Sequence, residues 1–177
     1  MTRLTTVLAV VLLAILLAAP ASGQATQNFT VSVMGGIGGS GDADVDSGYD
    51  NFGLQGLFSL KLTNNTRFGL RVGQTSLEAD DESGLFDADL TWLTAVGEYE
   101  YPDVFFDGGL YLGLGAYDLQ GDNLIGDESG IGLTLGSTGD FRFTPSLSVR
   151  VELSGHFVDF DYGQFFFMGH VGLAYHF

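Results

Sequence analysis

Leu147-Ser148-Val149-Arg150-Val151-Glu152-Leu153-Ser154-Gly155-His156-Phe157 alternates without a slip. Leu147, Val149, Val151, Leu153 and Phe157 fall on one face, and Ser148, Arg150, Glu152, Ser154 and His156 on the other. Period two belongs to a β-strand, whose successive side chains project to opposite sides. A helix would gather residues three and four apart and mix the two classes. This segment therefore reads as a strand between two unlike environments, one apolar and one that holds charge.

The same pattern recurs on both sides of it. Working outward, alternating runs start at Phe29, Phe52, Phe68, Asp89, Phe106, Ile131 and Phe165, which with the Leu147 run makes eight strands. The links between them take turns in length. Gly38 to Asp50, Ala79 to Asp87 and Asp118 to Glu128 read as long; Thr63-Asn64-Asn65-Thr66 and Pro102-Asp103 read as tight. Gly139 to Pro145 reads as a moderate link, and Asp159 to Gly163 as a short acidic one. Asn-Asn, Pro-Asp and Gly-Asp are turn formers. An up-and-down meander with one decorated and one plain end describes an all-β, antiparallel eight-stranded barrel with both termini at the same rim.

Composition narrows the classes. The chain has 177 residues, 22 Asp+Glu against 6 Lys+Arg, a formal charge of −16, 27 Gly and no Cys. A nucleic-acid binder needs a basic patch to displace counterions, and only Lys61, Arg67, Arg71, Arg142 and Arg150 follow Arg3. Without Cys there is neither a disulfide framework nor thiol chemistry. Residues 1–25 read as a cleavable signal peptide: Arg3, an apolar run from Leu4 to Ala19, Pro20, then the small residues Ala21 to Ala25. The barrel domain is then 26–177.

Alternation does not say which face is inside. The polar face is dominated by Gly, Ser, Thr and charged residues, a set that suits the narrow interior of eight strands. Aromatic residues gather near strand ends: Phe29, Phe68, Tyr99, Tyr101, Phe106, Tyr175 and Phe177 at the short-turn rim, and Tyr49, Phe52, Tyr117, Phe157, Phe160 and Phe165 at the other. Two such girdles mark two membrane interfaces, so the apolar face is expected to meet lipid. With its leader, its eight strands and the closing Val171-Gly172-Leu173-Ala174-Tyr175-His176-Phe177, the chain resembles the small outer-membrane β-barrels of Gram-negative bacteria, among them the OmpA transmembrane domain, OmpX and OmpW. The resemblance implies an outer-membrane location, contact with outer-membrane lipids, and recognition of Val171, Leu173, Tyr175 and Phe177 by the barrel-assembly machinery.

Four groups of residues are candidates for chemistry. Lys61, Arg71, Glu98, Glu100, Asp107, Arg150 and Glu152 share the polar face near the short-turn rim. Charges in a narrow interior must pair, because isolated burial costs several kcal/mol, so these residues are expected to form a plug. His156, His170 and His176 also face inward, as lumen filling rather than metal ligands. Sixteen of the 22 acids lie at the long-loop end, where divalent cations would gather diffusely. Among these acids Asp42, Asp44 and Asp46 have the spacing of the first ligands of a calcium loop, without its Gly at the sixth place or its Glu at the twelfth. No nucleophile elbow or metalloenzyme motif is present, and no cofactor is implied. The reading is a non-enzymatic barrel with a structural or surface-interaction role. Leu57, Trp92, Val96 and Met168, apolar residues on the polar face, leave an alternative: an OmpW-like conduit for small hydrophobic molecules.

Overall fold

The computed structural model describes residues 28–41, 51–77, 88–101, 103, 106–121, 127–161 and 164–177. The leader, the Asp42–Asp44–Asp46 group and Tyr49 lie outside them. Eight strands run in chain order: β1 (Phe29–Ser40), β2 (Phe52–Lys61), β3 (Thr66–Leu77), β4 (Ala88–Tyr101), β5 (Phe106–Gly121), β6 (Asp127–Thr144), β7 (Leu147–Val158) and β8 (Phe165–His176). Each pairs antiparallel with its neighbours, and β8 returns to β1 to close the barrel. At the seam the Phe29 amide donates to the Phe177 carbonyl at 2.9 Å, and the Phe177 amide donates to the Phe29 carbonyl at 3.0 Å. The two ends of the barrel segment thus meet at the short-turn rim.

Pairing register sets the shape. Stepping from Phe29 through its partners Leu60, Phe68, Gly97, Leu112, Leu135, Gly155 and Phe167 leads back to Gly39, ten residues further along β1. A stagger of ten over eight strands tilts them about 40° and sets a radius of about 8 Å. A twelve-residue strand at that tilt rises about 30 Å, the thickness of a bilayer's hydrocarbon core.

The apolar face is outside. Ile37, Leu93, Leu112, Leu114, Leu153, Val171 and Leu173 are exposed, and Ile131 is 75 % accessible, while the inward Leu90 is at 0 %. Aromatic pairs ring the short-turn end, with Tyr99 against Tyr101 at 5.0 Å between ring centroids and Phe106 against Phe141 at 4.8 Å. Phe157 and Phe165 pair at 4.7 Å toward the other end.

Three expectations are corrected. Both described ends of Asp118 to Glu128 are strand rather than link, since β5 runs to Gly121 and β6 starts at Asp127. Gly139 to Thr144 is also strand, and the β6–β7 turn is only Pro145–Ser146. Gly-Asp has turn propensity, but Asp140 is paired on both sides, with Asp107 and with Arg150, and the ladder overrides the local preference. Tyr117 and Phe160 do not belong to a girdle. Both are buried, because Tyr117 keeps the inward parity of Tyr111, and Phe160 that of Val158.

Candidate interior site: a polar network beneath an apolar cluster

The interior has two storeys. The lower one, toward the short-turn rim, is a hydrogen-bonded charge network. Arg150, fully buried on β7, donates through Nη2 to both oxygens of Glu98 at 2.8 and 3.1 Å, and through Nη1 to Asp140 Oδ2 at 2.7 Å. Arg71 on β3 donates through Nε and Nη2 to Glu152 Oε2, both at 3.2 Å, and lies 3.7 Å over the ring of Tyr111. Its Nη2 is also 3.9 Å from Glu98, which joins the two arginines through one carboxylate. The other oxygen of Glu152 accepts from Tyr111 Oη and Gln55 Nε2, each at 2.9 Å, and Gln55 in turn accepts from Trp92 Nε1 at 3.2 Å.

The network continues downward from Asp140. Ser148 Oγ donates to Asp140 Oδ1 at 3.1 Å and lies 2.9 Å from His176 Nε2. With the Ser148 proton so committed, His176 donates through Nε2 and accepts at Nδ1 from Thr30 Oγ1, 2.9 Å away. Thr30 accepts from Arg67, which pairs with Glu100. A separate pair, Arg142 with Asp107, sits at the mouth.

The upper storey is apolar. Leu77, Ala88, Leu90, Trp92, Tyr117, Leu119, Val158, Phe160, Phe166 and Met168 form one buried cluster inside the barrel. His156 bridges the storeys: its Nδ1 lies 2.9 Å from Tyr117 Oη, its Nε2 is 3.0 Å from Ser154 Oγ, and its ring packs 5.6 Å from that of Trp92. Large inward side chains lie flat over glycines of the next strand. A Cβ on Gly73 would come within 2.2 Å of Trp92 Cζ2, and one on Gly136 within 2.6 Å of the Tyr111 ring.

Of the candidates read from the sequence, Arg71, Glu98, Arg150 and Glu152 converge on one cluster, while Glu100 and Asp107 each take an arginine closer to the rim. Lys61 is corrected: it shares the inward face but lies half-buried at the mouth and enters none of the salt bridges among the described residues. His156, His170 and His176 are all buried, with His170 packed 6.2 Å from Trp92. Among the described residues, no His, Asp and Glu side chains gather as a metal site. Val171, Leu173 and Tyr175 face outward, and Phe177 stacks on Phe29 at 5.7 Å. Arg67, Asp140, Arg142 and Gln55 take part without having been singled out. Their parity was available in the sequence, but Arg67 follows a tight turn, and Asp140 and Arg142 sit in a stretch read as a link.

No protein-family model matches the sequence, and no curated protein matches it. Solved structures do match it in backbone. Neisserial surface protein A superposes with a TM-score of 0.66 at 14 % identity, covering 86 % of this chain and 98 % of that one. A major outer-membrane protein from Thermus thermophilus gives 0.60 at 17 %, covering 85 % and 98 %. The N-terminal β-barrel domain of Pseudomonas aeruginosa OprF gives 0.58 at 16 %, covering 87 % and 100 %. With its closed eight-stranded meander, its apolar exterior and an interior that holds the buried charges, the chain has the fold of the small outer-membrane β-barrels.

Proposed function

We propose that this protein is a resident of the outer membrane of a Gram-negative bacterium, a non-enzymatic barrel whose lumen is closed and whose work is done at its acidic long-loop end. The observation that supports this reading is the burial of inward side chains in both storeys, from Arg67 and Glu100 at the bottom to Leu90, Leu119 and Phe166 at the top. The exposed apolar belt supports immersion in outer-membrane lipid, and a membrane-spanning sheet must close because an open edge would leave unpaired amides in hydrocarbon.

A conduit for small hydrophobic molecules would need an apolar cavity open toward the loops. The apolar residues at that end pack on one another instead, with Leu90, Leu119 and Phe166 at 0 % exposure. A closed barrel leaves a structural role or recognition by the loops. That end offers carboxylates and no base, so divalent cations collect there diffusely.

Osmotic swelling tests the reading. Liposomes carrying the full chain should resist swelling in a small sugar as well as empty ones do, and rapid swelling would contradict a closed lumen.

A further inference from the structure

We infer that the short-turn mouth of the barrel binds a phosphate group. Lys61, Arg67 and Arg142, from β2, β3 and β6, line a recess of about 370 Å³ there, together with Asn28, Thr63 and Asn64. Two of the three bases have acid partners, Arg67 with Glu100 and Arg142 with Asp107. Lys61 enters no salt bridge among the described residues, so its ammonium stands uncommitted beside two neutralised pairs. The Arg142 side chain is 32 % exposed, so part of its guanidinium stays open to the recess that Lys61, Asn28 and Asn64 also line. Charged donors with amides beside them are the usual equipment for holding phosphate oxygens.

The rest of the molecule sharpens the assignment. After Arg3 the chain has five bases, and the two outside this recess, Arg71 and Arg150, are buried and committed to Glu98, Asp140 and Glu152. The long-loop end carries acids only. An anion is therefore repelled from the long-loop end, and the base that no salt bridge occupies among the described residues stands at the short-turn mouth. The mouth is level with the short-turn aromatic girdle, where a membrane places its headgroups, so the phosphate can be free in solution or part of a phospholipid.

The test uses the full chain folded in a nonionic detergent and titrated with inorganic phosphate, following backbone amide shifts by NMR. A parallel arm adds short-chain phosphatidylglycerol to the same detergent sample, with a phosphate-free diacylglycerol glycolipid as its control. Saturable shifts at Lys61, Asn64 and Arg142 are expected. Lys61→Gln should weaken binding about tenfold, the loss of one charge-assisted hydrogen bond, and Lys61→Arg should retain it. Asn64→Asp, on an exposed turn where folding is not at stake, should also weaken it by adding a repelling carboxylate. Response to inorganic phosphate assigns a free-anion site, and response to phosphatidylglycerol alone assigns a headgroup site; either supports phosphate recognition. No saturable shift in either arm, or binding unchanged in both Lys61→Gln and Asn64→Asp, would overturn it.

Discussion

Arg150 shows how much depends on single side chains in this interior. Its guanidinium satisfies Glu98 and Asp140 at once, so Arg150→Ala would leave Asp140 without an arginine and Glu98 with only Arg71, 3.9 Å away, rather than simply delete a contact. A loss of about 3–5 kcal/mol is expected for breaking a buried pair of this kind. Urea unfolding of the vesicle-embedded protein measures it, and a change below about 1 kcal/mol, the size of an exposed pair, would show that the network is loosely hydrated. Gly73 makes a second residue-scale case. An added methyl would collide with the indole of Trp92, the single tryptophan of the chain. Gly73→Ala should therefore cost about 1–3 kcal/mol, the usual range for overpacking, and should shift the Trp92 emission; an unchanged spectrum and stability would contradict the close approach. At this scale the sequence told which way a side chain points but not what it touches. Glu152 meets Arg71 rather than its strand neighbour because the ten-residue stagger brings β3 and β7 to one level across the lumen, and nothing local to either residue encodes that stagger.

Strands were legible where alternation is strict, as in β7, and less so where glycine or an acid breaks the hydrophobic count. In β6 the run Gly139-Asp140 carries a turn signal locally, yet both residues are paired on each side; cross-strand neighbours, invisible in one segment, decided the outcome. The rule that sorted Tyr117 and Phe160 wrongly was residue type. Parity would have placed both inside. Element orientation itself makes a sharp prediction, because each strand has a lipid side and an interior side. Leu153 on β7 is exposed on the apolar face, and Leu153→Arg should destabilise the inserted barrel by about 2–4 kcal/mol if that face lies at the bilayer midplane. The same unfolding assay in vesicles checks it. Tolerance of arginine at Leu153 would mean that the face is not in hydrocarbon.

Taken whole, the molecule separates its charges by place. Bases and their partner acids are drawn into the interior and its short-turn mouth, and the surplus acids stand at the other end. This division follows from the medium on each side. A carboxylate in water needs no partner, whereas one in a narrow lumen needs an arginine. The apolar cluster lies above the network. Closure of the barrel by these two storeys is read out by single-channel current through the purified full chain in a planar bilayer. The wild-type protein should give no resolved conductance steps, and leak current should appear in Arg150→Ala. Steady, ohmic openings in the wild-type protein would contradict closure.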